Sequence, residues 1–102
     1  MVVPLKANEV VVKAGDSKYL ADTDKIDGKL IITNQRIYFK TFNGHGEKYD
    51  LEIMPGDILE VIYFNTMKIK PNGLNMIMKS GQELKFTVKK RNEIGGMINK
   101  MY

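Results

Sequence analysis

Gly28-Lys29-Leu30-Ile31-Ile32-Thr33-Asn34-Gln35-Arg36-Ile37-Tyr38-Phe39 reads as two short β-strands joined by a tight polar turn. Gly28 breaks the polar stretch before it, and Leu30 and Ile32 then alternate with Lys29 and Ile31 in a run rich in β-branched residues. Asn34-Gln35 supplies the turn, because Asn tolerates the left-handed backbone conformation that a two-residue hairpin requires. On the return strand Ile37 and Phe39 share one face, while Arg36, Tyr38 and Lys40 share the other. One apolar face and one polar face predict an antiparallel sheet with a wet side.

Upstream, residues 9–13 read as a first strand closed by Ala14-Gly15-Asp16, continued after a bend by residues 17–21 with Tyr19 and Leu20 as apolar anchors. Residues 22–27 form a polar loop into the hairpin. Downstream, residues 42–47 make a glycine-rich turn, and the next strand runs over 48–53. Met54-Pro55-Gly56-Asp57 is a turn before a strongly apolar strand at 58–64. The stretch 66–72, which holds Lys68, Lys70 and Pro71, reads as a basic hinge or irregular edge. Leu74, Met76 and Met78 then alternate with Asn75, Ile77 and Lys79, Ser80-Gly81 turns the chain, and Leu84, Phe86 and Val88 alternate in their turn. A slip of one residue would bury Lys85 and Thr87, so the register is well specified.

At the C-terminal end the period changes. Ile94, Met97, Ile98 and Met101 follow the i, i+3, i+4, i+7 spacing of one helical face. Asn92 with Glu93 starts this helix. Gly95-Gly96 weakens it by about 1 kcal/mol per glycine relative to alanine, and lets it lie close against the sheet. The predicted class is mainly β: about seven antiparallel strands with one C-terminal α-helix capping the open end of a bent sheet.

The chain of 102 residues is long enough for one domain with one core. That domain is expected over 1–102, with its body at 8–102 after a short lead at 1–7. A composition 43% hydrophobic and 27% charged is that of a globular protein. The absence of cysteine excludes disulfides, thiolate metal sites and a cysteine nucleophile, and fits a reducing cytoplasm. No secretory leader is visible in the first residues, and no run approaches the roughly 20 apolar residues of a spanning helix. A cytoplasmic protein is expected.

Chemistry-bearing sets are scarce. His45 stands alone between Gly44 and Gly46, with no second histidine or carboxylate at ligand spacing. Asp22, Asp24 and Asp27 resemble the opening of a calcium loop, but the central glycine and the distal glutamate are missing. No nucleophile–base set and no phosphate-cradling glycine loop can be assembled. The expectation is a protein without enzymatic activity, cofactor or metal.

Binding is the remaining class. Sixteen basic residues against 12 acidic ones, a net charge of +4, permit contact with phosphate-bearing surfaces. Three basic groups are candidates for a lipid or a protein partner: Lys68 and Lys70; Lys89, Lys90 and Arg91 before the helix; and Arg36 and Lys40 flanking Tyr38. Each lysine facing an anionic membrane adds about 1 kcal/mol. Nucleic acid is not expected, because Phe39, Phe86 and Tyr63 are on core-facing or mixed positions and basic residues are not interleaved with exposed aromatics along one strand, Tyr38 between Arg36 and Lys40 excepted. Self-association through an exposed edge strand is a further option.

Gly28-x-Leu30, Thr33-Asn34-x-Arg36-Ile37-x-Phe39, Ile53, Asp57-Ile58-x-x-Val61, Leu84-x-Phe86 and the final helix together resemble, in order, the pattern of the GRAM family. The resemblance covers roughly residues 8–102. It implies a pleckstrin-homology-like split barrel with a C-terminal capping helix. It further implies a binding module, since some members bind phosphoinositides or other anionic lipids and others serve protein contacts. Phosphoinositide-binding pleckstrin-homology domains carry a lysine near the end of the first strand and a basic-x-Arg pair on the second. Here Lys25 lies among Asp22, Asp24 and Asp27, and Ile31 follows Lys29 where the arginine would be. The resemblance therefore implies at most weak binding to anionic lipid, with peripheral contact at a membrane surface, or else a protein-interaction or self-associating role.

Overall fold

The structure, a computed structural model, describes residues 5–21, 24–42, 49–66 and 70–102. Among these residues seven strands are followed by one α-helix: β1 Val11–Ala21, β2 Asp24–Thr33, β3 Ile37–Thr41, β4 Leu51–Ile53, β5 Ile58–Thr66, β6 Lys70–Met78, β7 Glu83–Val88 and α1 Arg91–Asn99. They form one sheet in the order β4-β3-β2-β1-β7-β6-β5, antiparallel throughout, with β4 and β5 at its edges. The sheet bends into a half-barrel. Its inner face holds Leu30, Ile32, Ile37, Phe39 and Ile53 from one half and Ile58, Leu74, Met76, Leu84 and Phe86 from the other. The rings of Tyr19, Phe39 and Phe86 meet pairwise at 5.3–5.8 Å across the bend. Tilted pairs of this kind add about 0.5–1.5 kcal/mol each beyond the area they bury.

Helix α1 closes the open end. Ile94 and Ile98 are buried in the core, with Met97 and Met101 packed partly buried against it, as the 3.6-residue spacing predicts. The helix begins at Arg91 rather than at Asn92, and Lys90 occupies the N-cap without a side-chain cap. Met101 lies past its last turn. Gly95 meets the expectation of close approach, since a Cβ there would run into the ring and hydroxyl of Tyr63. Gly96 does not: an added Cβ would meet nothing.

Several boundaries differ from the sequence reading, each for a pairing reason. β1 is one strand, not two, because residues 14–18 pair without interruption with residues 31–27 of β2. The supposed polar loop at 22–27 is mostly strand: Asp24 already pairs with Ala21. Gly28 lies inside β2, where the ring of Phe39 and the carbonyl of Lys40 leave no room for a Cβ. Ile31, placed on the wet face, is buried as well. Near the other edge, the expected hinge at 66–72 is occupied by the end of β5 and the start of β6, with Pro71 inside the strand and Thr66 paired to Lys70 across a bulge. β4 spans only Leu51–Ile53. The glycine-rich turn with His45, Asp22 and Lys68 lie outside the described residues.

Candidate functional site

The Thr33–Arg36 turn, central to the sequence reading, is committed to holding the N-terminal segment. Asn34 does not adopt the left-handed conformation; Asn8 does, at φ 63. Instead, Asn34 pairs like a piece of backbone. Its Oδ1 accepts from Val10 N at 2.8 Å, and its Nδ2 donates to Asn8 O at 3.0 Å. Gln35 Nε2 donates to Ala7 O at 3.1 Å. Thr33 Oγ1 donates to Glu9 Oε2 at 2.6 Å and accepts from Arg36 N at 2.9 Å.

Arg36 was expected on the wet face and is instead only 4% exposed. Its guanidinium grips Glu9 with two hydrogen bonds, at 2.7 and 2.8 Å, and also donates to Glu52. The same group lies over the Tyr38 ring at 4.3 Å. A bidentate arginine–carboxylate pair is the strong form of this contact. Arg36 holds the Glu9 carboxyl down at about 2, with Thr33 and the Lys6 N–H adding to the effect against burial. Glu9 in return raises the affinity of Arg36 for its proton. Tyr38 is pushed up by burial and by the neighbouring Glu52 carboxylate.

The other candidates divide. Lys40 Nζ donates to Asp50 Oδ2 at 2.7 Å, and Asp50 also accepts from Thr41 N at 2.8 Å. Arg91 Nη1 donates to Phe64 O at 2.7 Å and to Asn65 Oδ1 at 3.1 Å, while its guanidinium stacks over Tyr63 at 5.0 Å. Arg91 is therefore turned toward the β5 edge, away from its neighbours. Lys70 opens β6. Lys89 and Lys90 remain exposed, and neither side chain has an ion partner among the described residues.

These two lysines stand at the mouth of a groove. β1 pairs with β7 through Ser17–Tyr19 alone, opposite Val88–Phe86. Beyond Val88 the chain turns at Lys89-Lys90 into α1. Residues 13–16 of β1 consequently run on past the last pair with β7 among the described residues. Between this stretch and the start of α1 lies a pocket of about 200 Å³. Leu30, Val88 and Ile94 line its apolar part, and Lys13, Asp16, Lys89 and Lys90 contribute the charges. Lys13 bridges the groove to Glu93 on α1 at 2.8 Å, and this bond keeps the Glu93 carboxyl below its ordinary range. Gly15 lies in the wall, and a Cβ added there would meet nothing within 4 Å.

Sequence reasoning found Lys89 and Lys90 but missed Lys13, Gly15 and Glu93. No local signal marks them, because Lys13 and Glu93 stand 80 residues apart and Gly15 reads as a turn glycine. Among the described residues no group of three or more His, Cys, Asp or Glu is placed to hold a metal ion, and no helix is long and apolar enough to cross a membrane.

No family model matches the chain, and no curated protein matches it either. Solved structures do. The C-terminal domain of an unknown protein from Leishmania infantum superposes with a TM-score of 0.80 at 14% identity, over 93% of this chain and 85% of that one. The Vps36 N-terminal PH domain superposes with a TM-score of 0.69 at 15% identity, over 95% of this chain and 84% of that one. At such identities the likeness is one of fold. Seven antiparallel strands in a half-barrel, closed by one C-terminal helix, give this chain a pleckstrin-homology-like fold.

Proposed function

We propose that this chain is a non-enzymatic binding module of the GRAM type and that its ligand is a segment of another protein seated between β1 and α1. The observation that carries this reading is the groove: a strand edge at residues 13–16 that runs on past the last pair with β7, beside apolar side chains, with room for a further side chain over Gly15. Protein surfaces recognise extended segments through such edges, the backbone supplying affinity and the adjoining pockets specificity.

An anionic lipid surface is the competing ligand, and the disposition of the candidate cations whose side chains are described argues against it. A headgroup site needs cations free to meet phosphate, whereas Arg36, Lys40 and Arg91 already donate to internal partners. Lys89 and Lys90 together would contribute about 2 kcal/mol at an anionic membrane, which concentrates a protein there without anchoring it. The GRAM assignment is supported by the Thr33-Asn34-x-Arg36 hairpin, whose side chains all serve one structural task. A cytoplasmic location remains part of the proposal.

The test is selection of phage-displayed peptides on the wild-type chain and on Gly15→Leu, whose Cβ meets nothing within 4 Å and whose side chain would occupy the groove. Vesicles containing phosphatidylserine, at low and physiological salt, form the second arm. Peptides enriched on wild type and lost on Gly15→Leu are expected, with vesicle binding weak and abolished by salt. Failure to enrich any peptide, combined with vesicle binding that vanishes when Lys89 and Lys90 are neutralised, would replace this reading with the lipid one.

A further inference from the structure

We infer that the occupant of the groove is an extended acidic strand that pairs antiparallel to β1 along residues 13–16. This inference rests on the proposal that the groove is a protein-binding site. The geometry behind it is the parting of β1 and β7. β7 runs antiparallel to β1 as far as the Ser17–Val88 pair, and the turn at Lys89-Lys90 then lifts the chain into α1. The line along which β7 would have continued stays open beside residues 13–16. At roughly 3.4 Å per residue the slot takes about four residues of an incoming strand. In antiparallel pairing alternate residues turn both their N–H and C=O toward the partner strand, so the incoming backbone is held at every second position.

Side-chain chemistry selects the sequence of that strand. The space over Gly15, beside Leu30, Val88 and Ile94, suits an apolar side chain of moderate size. Lys13, Lys89 and Lys90 face the slot with two carboxylates, Asp16 and the Glu93 paired to Lys13, so one positive charge is in excess and the field favours an anionic partner. Glu93 occupies Lys13 from the helix side. A carboxylate on the incoming strand would compete with it and take over the same ammonium. The preferred occupant therefore alternates acidic and small apolar residues.

The probe is a synthetic peptide of alternating Glu and Val, titrated into the isotopically labelled full chain and followed by amide chemical shifts and amide exchange. Shifts concentrated at residues 13–16 and at Lys89 and Lys90, with slowed exchange at alternate positions of 13–16, are expected. A Lys-Val peptide should bind at least about tenfold more weakly, as should the Glu-Val peptide in the presence of Gly15→Leu. N-methylation of the peptide nitrogens facing β1 should weaken binding about tenfold, and methylation of the intervening ones should not. Equal effects of the two methylation patterns, or shifts mapping to the β5 edge, would overturn strand addition at β1. If peptides selected on the wild-type groove remain Gly15-dependent while methylation has no effect, strand pairing alone falls. If no peptide reaches the groove, the protein-binding reading falls with it.

Discussion

Gly95 and Gly96 are neighbours on α1, yet alanine should act on them with opposite sign. Alanine is about 1 kcal/mol more favourable than glycine inside a helix. At Gly96 an added methyl meets nothing, so Gly96→Ala should stabilise the protein by about that amount, or roughly 4–8 °C in Tm for a domain of this size. At Gly95 the methyl would be driven into the ring and hydroxyl of Tyr63. Tyr63 is itself held by Arg91 stacked above it at 5.0 Å. Overpacking costs about 1–3 kcal/mol, and loss of the cation–π contact about 0.5–1 more. Set against the helical gain, Gly95→Ala should destabilise by about 0.5–3 kcal/mol. Urea unfolding followed by circular dichroism measures both variants, with an unchanged slope confirming that stability alone has moved. The decisive comparison is the Tyr63→Ala background, where Gly95→Ala should become stabilising like Gly96→Ala. Equal stabilisation by both alanines in the wild-type chain, or a Gly95→Ala penalty that survives removal of the Tyr63 ring, would refute the contact argument.

Three other outcomes follow from the same structure. Glu9 has a folded-state value of about 2 against an ordinary 4.5; a depressed carboxyl stabilises above its unfolded value and loses that contribution as pH falls toward the folded one. Stability should therefore decline between roughly pH 4.5 and 2, and Glu9→Gln should be less stable at neutral pH with a flatter profile across that window, read by unfolding at a series of pH values. Asn34→Ala removes the bonds to Val10 N and Asn8 O, so it should cost about 1–2 kcal/mol and accelerate exchange of the Val10 amide, while leaving the β2–β3 pairing protected. Phe86→Ala takes a fully buried ring from the Tyr19–Phe39–Phe86 cluster and should cost about 3–5 kcal/mol by denaturant unfolding.

The strands were legible wherever one face is apolar and the other wet. Leu84, Phe86 and Val88 alternate cleanly, and all three are buried. The reading failed where pairing, not side-chain pattern, sets the structure. Asp24 is a strand residue because Ala21 lies opposite it, and Pro71 is tolerated in β6 next to a bulge near the sheet's edge. Among the candidate residues, exposed Lys89 and Lys90 follow from their place at the end of an alternating strand. The burial of Arg36 did not. Its alternation with Ile37 marks a wet face, and its neutralisation depends on Glu9, 27 residues earlier, and on Glu52, 16 residues later.

By itself, then, the order of apolar residues determined the class of this protein: a period of two in the hairpin at 28–39 and in the pair at 74–88, changing to 3.6 at Ile94, leaves an antiparallel sheet with one amphipathic helix to close it. Hydrophobic burial enforces that outcome, because any register slip would place lysines in the core. Tertiary structure alone decided which charges are free and where a ligand has room. Ion pairs such as Arg36–Glu9 and Lys13–Glu93 join residues remote in sequence. The groove at Gly15 exists only because β1 runs on after β7 has turned away into the helix, and that parting depends on three-dimensional curvature, which no periodicity in the chain records.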